Sequence, residues 1–142
     1  MFKRIILPQD LEVRGEAEAA CVRLVLERAD PEQSEIHLVT VIPDFGMPLV
    51  ASFFPQETLH RAEDEVKKRL WHLTRTLFPG WSHLHSHVRV GKPSREIVAL
   101  ARIIHSDLIV MPPHSGSSGQ ELIGSCTTRV VHNAHCSVLV VR

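Results

Sequence analysis

Apolar residues along this chain recur in two rhythms. Short unbroken runs, too brief for a helix and rich in β-branched side chains, read as buried strands. Longer stretches with apolar positions at steps of three and four read as amphipathic helices. The first run, residues 2–7, holds Ile5, Ile6 and Leu7 and stops at Pro8. Ala17, Cys21, Leu24 and Arg28 follow at helical spacing, with Ala20 and Val25 beside them, until Asp30 and Pro31 end that helix. Residues 36–42 form a second strand, and residues 43–55 a loop with three prolines and one glycine. Leu59, Ala62, Val66, Leu70, Leu73 and Leu77 then give the clearest helical stripe, closed by Pro79 and Gly80.

Residues 83–90 alternate, with His83, His85 and His87 on one side and Leu84, Ser86 and Val88 on the other. They read as a third strand, broken by Gly91 and Pro93. Ser94 is placed to cap a helix whose stripe is Ile97, Leu100, Ala101 and Ile104. Residues 108–111 are a fourth strand, and residues 120–132 a fourth helix with Leu122, Ile123, Cys126 and Val130 inward. Residues 138–141 are a fifth strand. Strands alternate with helices, and several strands are apolar without alternation, as strands covered on both faces should be. Right-handed crossovers then predict a parallel sheet in a three-layer α/β/α arrangement. No repeat or linker divides the chain, so residues 1–142 are expected to form a single domain.

Composition narrows the function. A chain of 142 residues, 44% apolar, can bury a core without disulfides or metal. Sixteen acidic and sixteen basic residues cancel, which gives no basic field for nucleic acid and no acidic tail. Cys21, Cys126 and Cys136 are odd in number and widely spaced; they read as buried thiols rather than as a disulfide framework or zinc ligands. The N-terminus opens straight into a strand with no signal-peptide pattern, and no apolar run has the length of a membrane span. The expected location is therefore the cytoplasm, and the chain is not expected to be membrane-embedded.

In a doubly wound sheet, ligands bind beyond the carboxyl ends of the strands, where strand order reverses. That rim should gather residues 8–11, 41–44, 89–92 and 111–119. Asp10 lies just past the first strand and can accept a hydrogen bond from a ribose hydroxyl or a base amine; it can equally cap a turn. His114, Ser115, Gly116, Ser117 and Gly119 belong to a loop of hydroxyls and glycine in which backbone N–H groups can converge on an anion. Gly124 and Ser125 fall inside the helical pattern that follows. A mid-helix glycine costs about 1 kcal/mol relative to alanine, so its presence points to close approach, either of a phosphate or of a neighbouring strand. The loop is neither a P-loop nor a hydride-cofactor fingerprint. His83, His85 and His87 share one face of a strand, but alternate residues stand about 6–7 Å apart, long for two ligands on one metal. A solvent-facing edge strand is the simpler reading, and no metal is assigned. No nucleophile elbow or other catalytic pair is present.

These residues resemble, over nearly the whole chain, the small single-domain universal stress proteins of bacteria. The resemblance is carried by the stretch from Ile5 to Asp10, by residues 91–97 from Gly91 to Ile97, by residues 106–111, by Gly124-Ser125, and by the close from Ala134 to Val141. It implies a Rossmann-like fold, akin to the adenine nucleotide alpha hydrolases, with a five-stranded parallel sheet of order 3-2-1-4-5. It also implies a homodimer in which the last strands (Ser137, Val138, Leu139, Val140 and Val141) pair across a two-fold axis. Physical reasoning agrees, since those residues would otherwise leave an apolar edge open.

One branch of that family binds ATP through a glycine, two residues, a second glycine, nine residues and then Gly-Ser or Gly-Thr. Counting back from Gly124 places Met111 and His114 where the two glycines belong. Proline at 112 or 113 further removes a backbone donor from the loop. Two readings follow. The first is a non-catalytic regulatory homodimer of the stress response that works without ATP. The second is an ATP-binding regulatory switch with slow or no hydrolysis, one that controls a membrane transporter. An adenine nucleotide would meet Pro8, Asp10, Val41, Gly91, Met111, His114, Ser115, Gly116, Ser117, Gly119, Gly124 and Ser125. The loop at 43–55, with Phe45, Met47, Phe53 and Phe54, would serve as a lid or as the surface for a protein partner.

Overall fold

Ile5, Ile6 and Leu7 lie at the centre of the molecule, at most 2% exposed. The computed structural model describes residues 1–43, 53, 55–114 and 122–142. The described chain runs β1 (Arg4–Pro8), α1 (Glu16–Arg28), β2 (Glu35–Pro43), α2 (Gln56–Leu77), β3 (Leu84–Gly91), α3 (Pro93–Ile103), β4 (Leu108–Met111), α4 (Ser125–Asn133) and β5 (Ser137–Val140). The strands form one sheet of order β3-β2-β1-β4-β5, and every pairing is parallel. Both the alternation and the strand order match the sequence reading.

Alternate side chains of the central strands feed two separate cores. Ile5, Leu7, Ile36, Leu38, Leu108 and Val110 pack with Cys21, Val22 and Val25 of α1, Leu70 of α2, and Phe78. Ile6, Val39, Ile109 and Met111 pack with Ile97, Leu100 and Ala101 of α3 and Val130 of α4. Helices α1 and α2 thus cover one face, and α3 and α4 the other. Each fully buried aliphatic side chain contributes about 1.5–3 kcal/mol, and β1 and β4 are both dry on both faces.

Several local expectations are corrected. Helix α4 begins at Ser125, not at residue 120, and Leu122 and Ile123 are 77% and 43% exposed rather than inward. Gly124 is therefore the residue before the helix, with extended backbone, and not a mid-helix glycine. The apolar pair at 122 and 123 extends the helical rhythm by coincidence. At α3 the N-cap is Lys92, with Pro93 in the first turn, and Ser94 is a buried first-turn residue. Proline's fixed φ suits the first helical position and moves the helix start ahead of the serine. Along α2 the stripe is covered late: Leu59 is exposed, and Leu70 is the first buried member. Of the cysteines, Cys21 is buried and Cys126 and Cys136 are half-buried; all three are free thiols. Burial, reinforced by Glu18, pushes the Cys21 thiol up to about 12.

The edge strand β3 departs most from expectation. His83 and His85 are exposed, as a solvent-facing edge predicts, but His87 is half-buried, and His37 of β2 stands directly opposite His85 in the parallel register. His37 is buried and stacks on His85 (ring centroids 4.5 Å, planes 11° apart) and on His87 (5.2 Å, 19°). Its Nδ1 lies 2.9 Å from His87 Nε2, and its Nε2 lies 3.3 Å from Glu35 Oε2. Burial first, then the charge of His85 when protonated, pushes His37 down to about 4, against partial support from Glu35. Burial likewise lowers His87, with His85 and Arg89 adding to it.

Two outcomes test this packing. Ile6→Ala should destabilise the protein by about 2–5 kcal/mol, read by urea denaturation. The histidine stack should make stability fall with acid. The unfolded chain protonates His37 near its ordinary 6.5, the folded chain only near 4, so stability drops as pH falls through that window. A loss of about 1–3 kcal/mol is expected, and His37→Gln should remove most of that slope in urea titrations across the window.

Candidate functional site

Strand order reverses at β1, which pairs with β2 on one edge and with β4 on the other. The chain leaving β1 enters α1 on one face of the sheet, and the chain leaving β4 goes on to α4 on the opposite face. A crevice opens between two such exits, at the carboxyl ends of the strands.

The first lip is built from residues 8–14. Gln9 is buried, and its backbone N–H donates to the Val39 carbonyl at 2.7 Å. Its side-chain amide donates to the Pro8 carbonyl at 3.0 Å and accepts from Arg14 Nη1 at 2.8 Å. Asp10 Oδ1 accepts the N–H of Glu12 at 2.9 Å and of Val13 at 3.3 Å. Asp10 therefore holds the turn that opens the loop. A carboxylate has about four acceptor positions, so this turn leaves it capacity toward the crevice.

The second lip joins the exit of β4 to the start of α4. Thr127, buried in the first turn of α4, donates its hydroxyl to the Pro112 carbonyl at 2.9 Å. The Gly124 N–H donates to the Pro113 carbonyl at 2.7 Å. A Cβ on Gly124 would lie 3.2 Å from the Cβ of His114 and 3.4 Å from its Cα. The glycine thus lets the two segments meet, and its neighbour Ser125 opens the helix. The first-turn amides of α4 have no partner within the helix and carry the positive end of its dipole, and no acidic residue occupies that turn. Burial, against a smaller opposing effect of Arg129, raises the Cys126 thiol, so it stays protonated at neutral pH.

Of the sequence-predicted set, Pro8 and Asp10 lie on the first lip, and His114, Gly124 and Ser125 on the second. Met111 sits at the right place, but its side chain is buried in the core and its carbonyl accepts the Val141 N–H at 3.0 Å. Val41 is half-buried near the end of β2. Gly91 ends the edge strand, two strands or about 10 Å from β1. Its φ is +147°, and a Cβ there would come within 2.9 Å of Glu96 Oε1. Arg89 holds that same carboxylate, its Nη2 3.0 Å from Glu96 Oε2. Gly91 therefore serves the β3–α3 turn. Ser115, Gly116, Ser117 and Gly119 lie outside the described residues, as do Phe45, Met47 and Phe54; Phe53 is exposed. Gln9, Arg14 and Thr127 were not anticipated. None stands out by periodicity, and Thr127 acts on a carbonyl 15 positions back.

A sequence profile described as "Universal stress protein family" matches residues 1–142. Universal stress protein MJ0531 of Methanocaldococcus jannaschii is 34% identical over 147 residues, covering all of this chain and 83% of the relative. Universal stress protein G of Escherichia coli O157:H7 is 30% identical over 148 residues and is covered in full, as is this chain. Among solved structures, hypothetical protein MJ0577 superposes with a TM-score of 0.80 at 26% identity, over 99% of this chain and 96% of that one. More distant structures share the fold and were solved with nucleotides. A universal stress protein from Archaeoglobus fulgidus holds dAMP (TM-score 0.68, 18% identity, 99% of this chain and 98% of that one). One from Arabidopsis thaliana holds AMP (0.63, 14%, 98% and 90%), and another universal stress protein holds cAMP (0.60, 19%, 99% and 97%).

Proposed function

The chain belongs to the universal stress protein family, and from that premise we propose that it is a regulatory protein that binds an adenine nucleotide at the β1/β4 crevice. The observation that carries this reading is the position of Gly124: it precedes α4 and aims that helix's free amides at the place where β4 ends. Such a terminus favours a phosphate. Asp10, across the crevice, would accept from the ribose or the base, and Val41 would face the base through its backbone. Arg14, held by Gln9, adds a cation to the first lip. Relatives of this fold that hold AMP, dAMP and cAMP support an adenosine monophosphate unit as the common element. Binding with slow or no hydrolysis makes the nucleotide a signal rather than a substrate.

A specific observation favours a second reading, in which the protein regulates without nucleotide. Pro112 and Pro113 offer no N–H where the loop leaves β4, and their carbonyls are already engaged by Thr127 and Gly124. In either reading we propose a homodimer through β5, which ends the sheet with its outer edge unpaired and Leu139 40% exposed. Among the described residues no helix is long and apolar enough to cross a membrane; a role in controlling a transporter would act through contact with it.

The first test is chemical. Protein purified without added nucleotide and then denatured should release adenine compounds, or should give heat on titration with AMP or ATP. Asp10→Ala should weaken binding by about 10- to 100-fold, the loss of about 1.5–3 kcal/mol for a charged hydrogen bond. A blank extract with no titration heat would leave the nucleotide-free reading. The second test is hydrodynamic. Sedimentation should give twice the chain mass of 16.0 kDa, and Leu139→Lys should shift the population to monomer.

A further inference from the structure

We propose that Glu35, His37 and His85 form a divalent transition-metal site, with Zn²⁺ as its occupant, at the end of the sheet opposite the nucleotide crevice. Pro43 at the rim lies six residue steps along β2 from His37, about 20 Å of strand. The two sites are therefore independent, and this inference does not rest on nucleotide binding.

The geometry follows from the register. Glu35 and His37 are two apart on β2 and share a face, and His85 is the direct cross-strand neighbour of His37. Backbone positions two apart on one strand stand about 6–7 Å apart, but the side chains of Glu35 and His37 bring Oε2 and Nε2 to 3.3 Å, and a parallel cross-strand pair stands about 4.8 Å apart, backbone to backbone. One ligand atom from each of Glu35, His37 and His85 falls within 4.8 Å of the others. Two ligands on one zinc lie at most about 4.2 Å apart, given bonds of about 2.0–2.1 Å. The remaining closure requires His85 to turn out of its stack, and His85 is an exposed residue on an edge strand.

The surroundings match what such a site needs. Two imidazoles and a carboxylate make a donor set found in zinc sites that keep a position open to water. Metal ligation requires neutral imidazole, and His37 is a buried ring. His37 Nδ1 lies 2.9 Å from His87 Nε2, so with an ion on Nε2 the remaining ring proton, on Nδ1, would donate to His87. A ligating histidine is ordinarily fixed through its second nitrogen in this way, which makes His87 the positioning residue. Glu35 supplies the carboxylate, and Arg4 is its cationic partner. Arg4 is also the competitor, because its Nε lies 3.3 Å from the same Glu35 Oε2. An entering ion would take that oxygen from the guanidinium.

The test uses untagged protein titrated with Zn²⁺, with Co²⁺ as spectroscopic probe. Binding of one ion per chain is expected, with visible Co²⁺ bands and no thiolate charge-transfer band. His85→Ala, a change on an exposed edge, should weaken binding about tenfold or more, and His87→Ala about tenfold. Arg4→Gln should tighten binding, which a purely structural role for these residues does not predict. His135→Ala, at an exposed histidine elsewhere, should change nothing. Circular dichroism checks that each variant is folded. Equal Zn²⁺ affinity in the parent and in His85→Ala, a thiolate band, or an affinity that falls equally in His135→Ala would overturn the assignment.

Discussion

A parallel strand in the middle of a sheet must be apolar on both faces and hydrogen-bonded on both edges, and β1 meets that demand with three residues. Ile5 and Leu7 enter one core and Ile6 the other. Ile5 and Ile6 are also in register with β2 on one side and β4 on the other. The rest of the architecture follows from this placement. Because β1 is central, the chain must leave it in one direction and return beside it from the other, which creates the switch point. The loops after β1 and β4, about a hundred residues apart in sequence, then share one crevice. A polar residue at 5, 6 or 7 would strand an unpaired group among aliphatic side chains and undo both cores together.

The two edges of the sheet solve the same problem in different ways. At β5, the last strand of the sheet among the described residues, the proposed second copy of the chain would complete the outer edge. At β3 the strand is tied to β2 by a stack of imidazoles on one face of the sheet. A buried histidine is costly unless its nitrogens are satisfied, and His37 is satisfied by His87 on one nitrogen and Glu35 on the other. The stack tolerates neutral rings and resists a proton, since charging one ring faces both desolvation and its neighbours. Near its own crevice the protein uses a comparable device. The first turn of α4 is clamped to the exit of β4 by Thr127 and Gly124, both acting on proline carbonyls. Prolines cannot donate to the crevice, but their carbonyls anchor the helix that can.

The sequence misled where periodicity has no means of seeing space. Leu122 and Ile123 prolong a helical rhythm that Gly124 in fact terminates. Ser94 looks like a cap, but the preceding proline sets the helix start. His87 alternates with His83 and His85, which are exposed, and nothing local says that it is half-buried or that His37 stands opposite His85. Gln9, Arg14 and Thr127 carry no pattern at all; each matters through a partner fixed by the fold.

While the family resemblance supplied the place of β1 inside the sheet, the sequence by itself determined the order of strands and helices, a parallel sheet covered on both faces, and the loops that must meet at its rim. Those are properties of hydrophobic spacing and turn chemistry, which act over a few residues and leave a periodic trace. Only the tertiary structure decided that Gly124 stands before a helix rather than within one, that Gly91 yields to Glu96, and that Glu35, His37 and His85 converge. These depend on register, where one strand lies against another, and register is settled by packing both faces of the sheet at once.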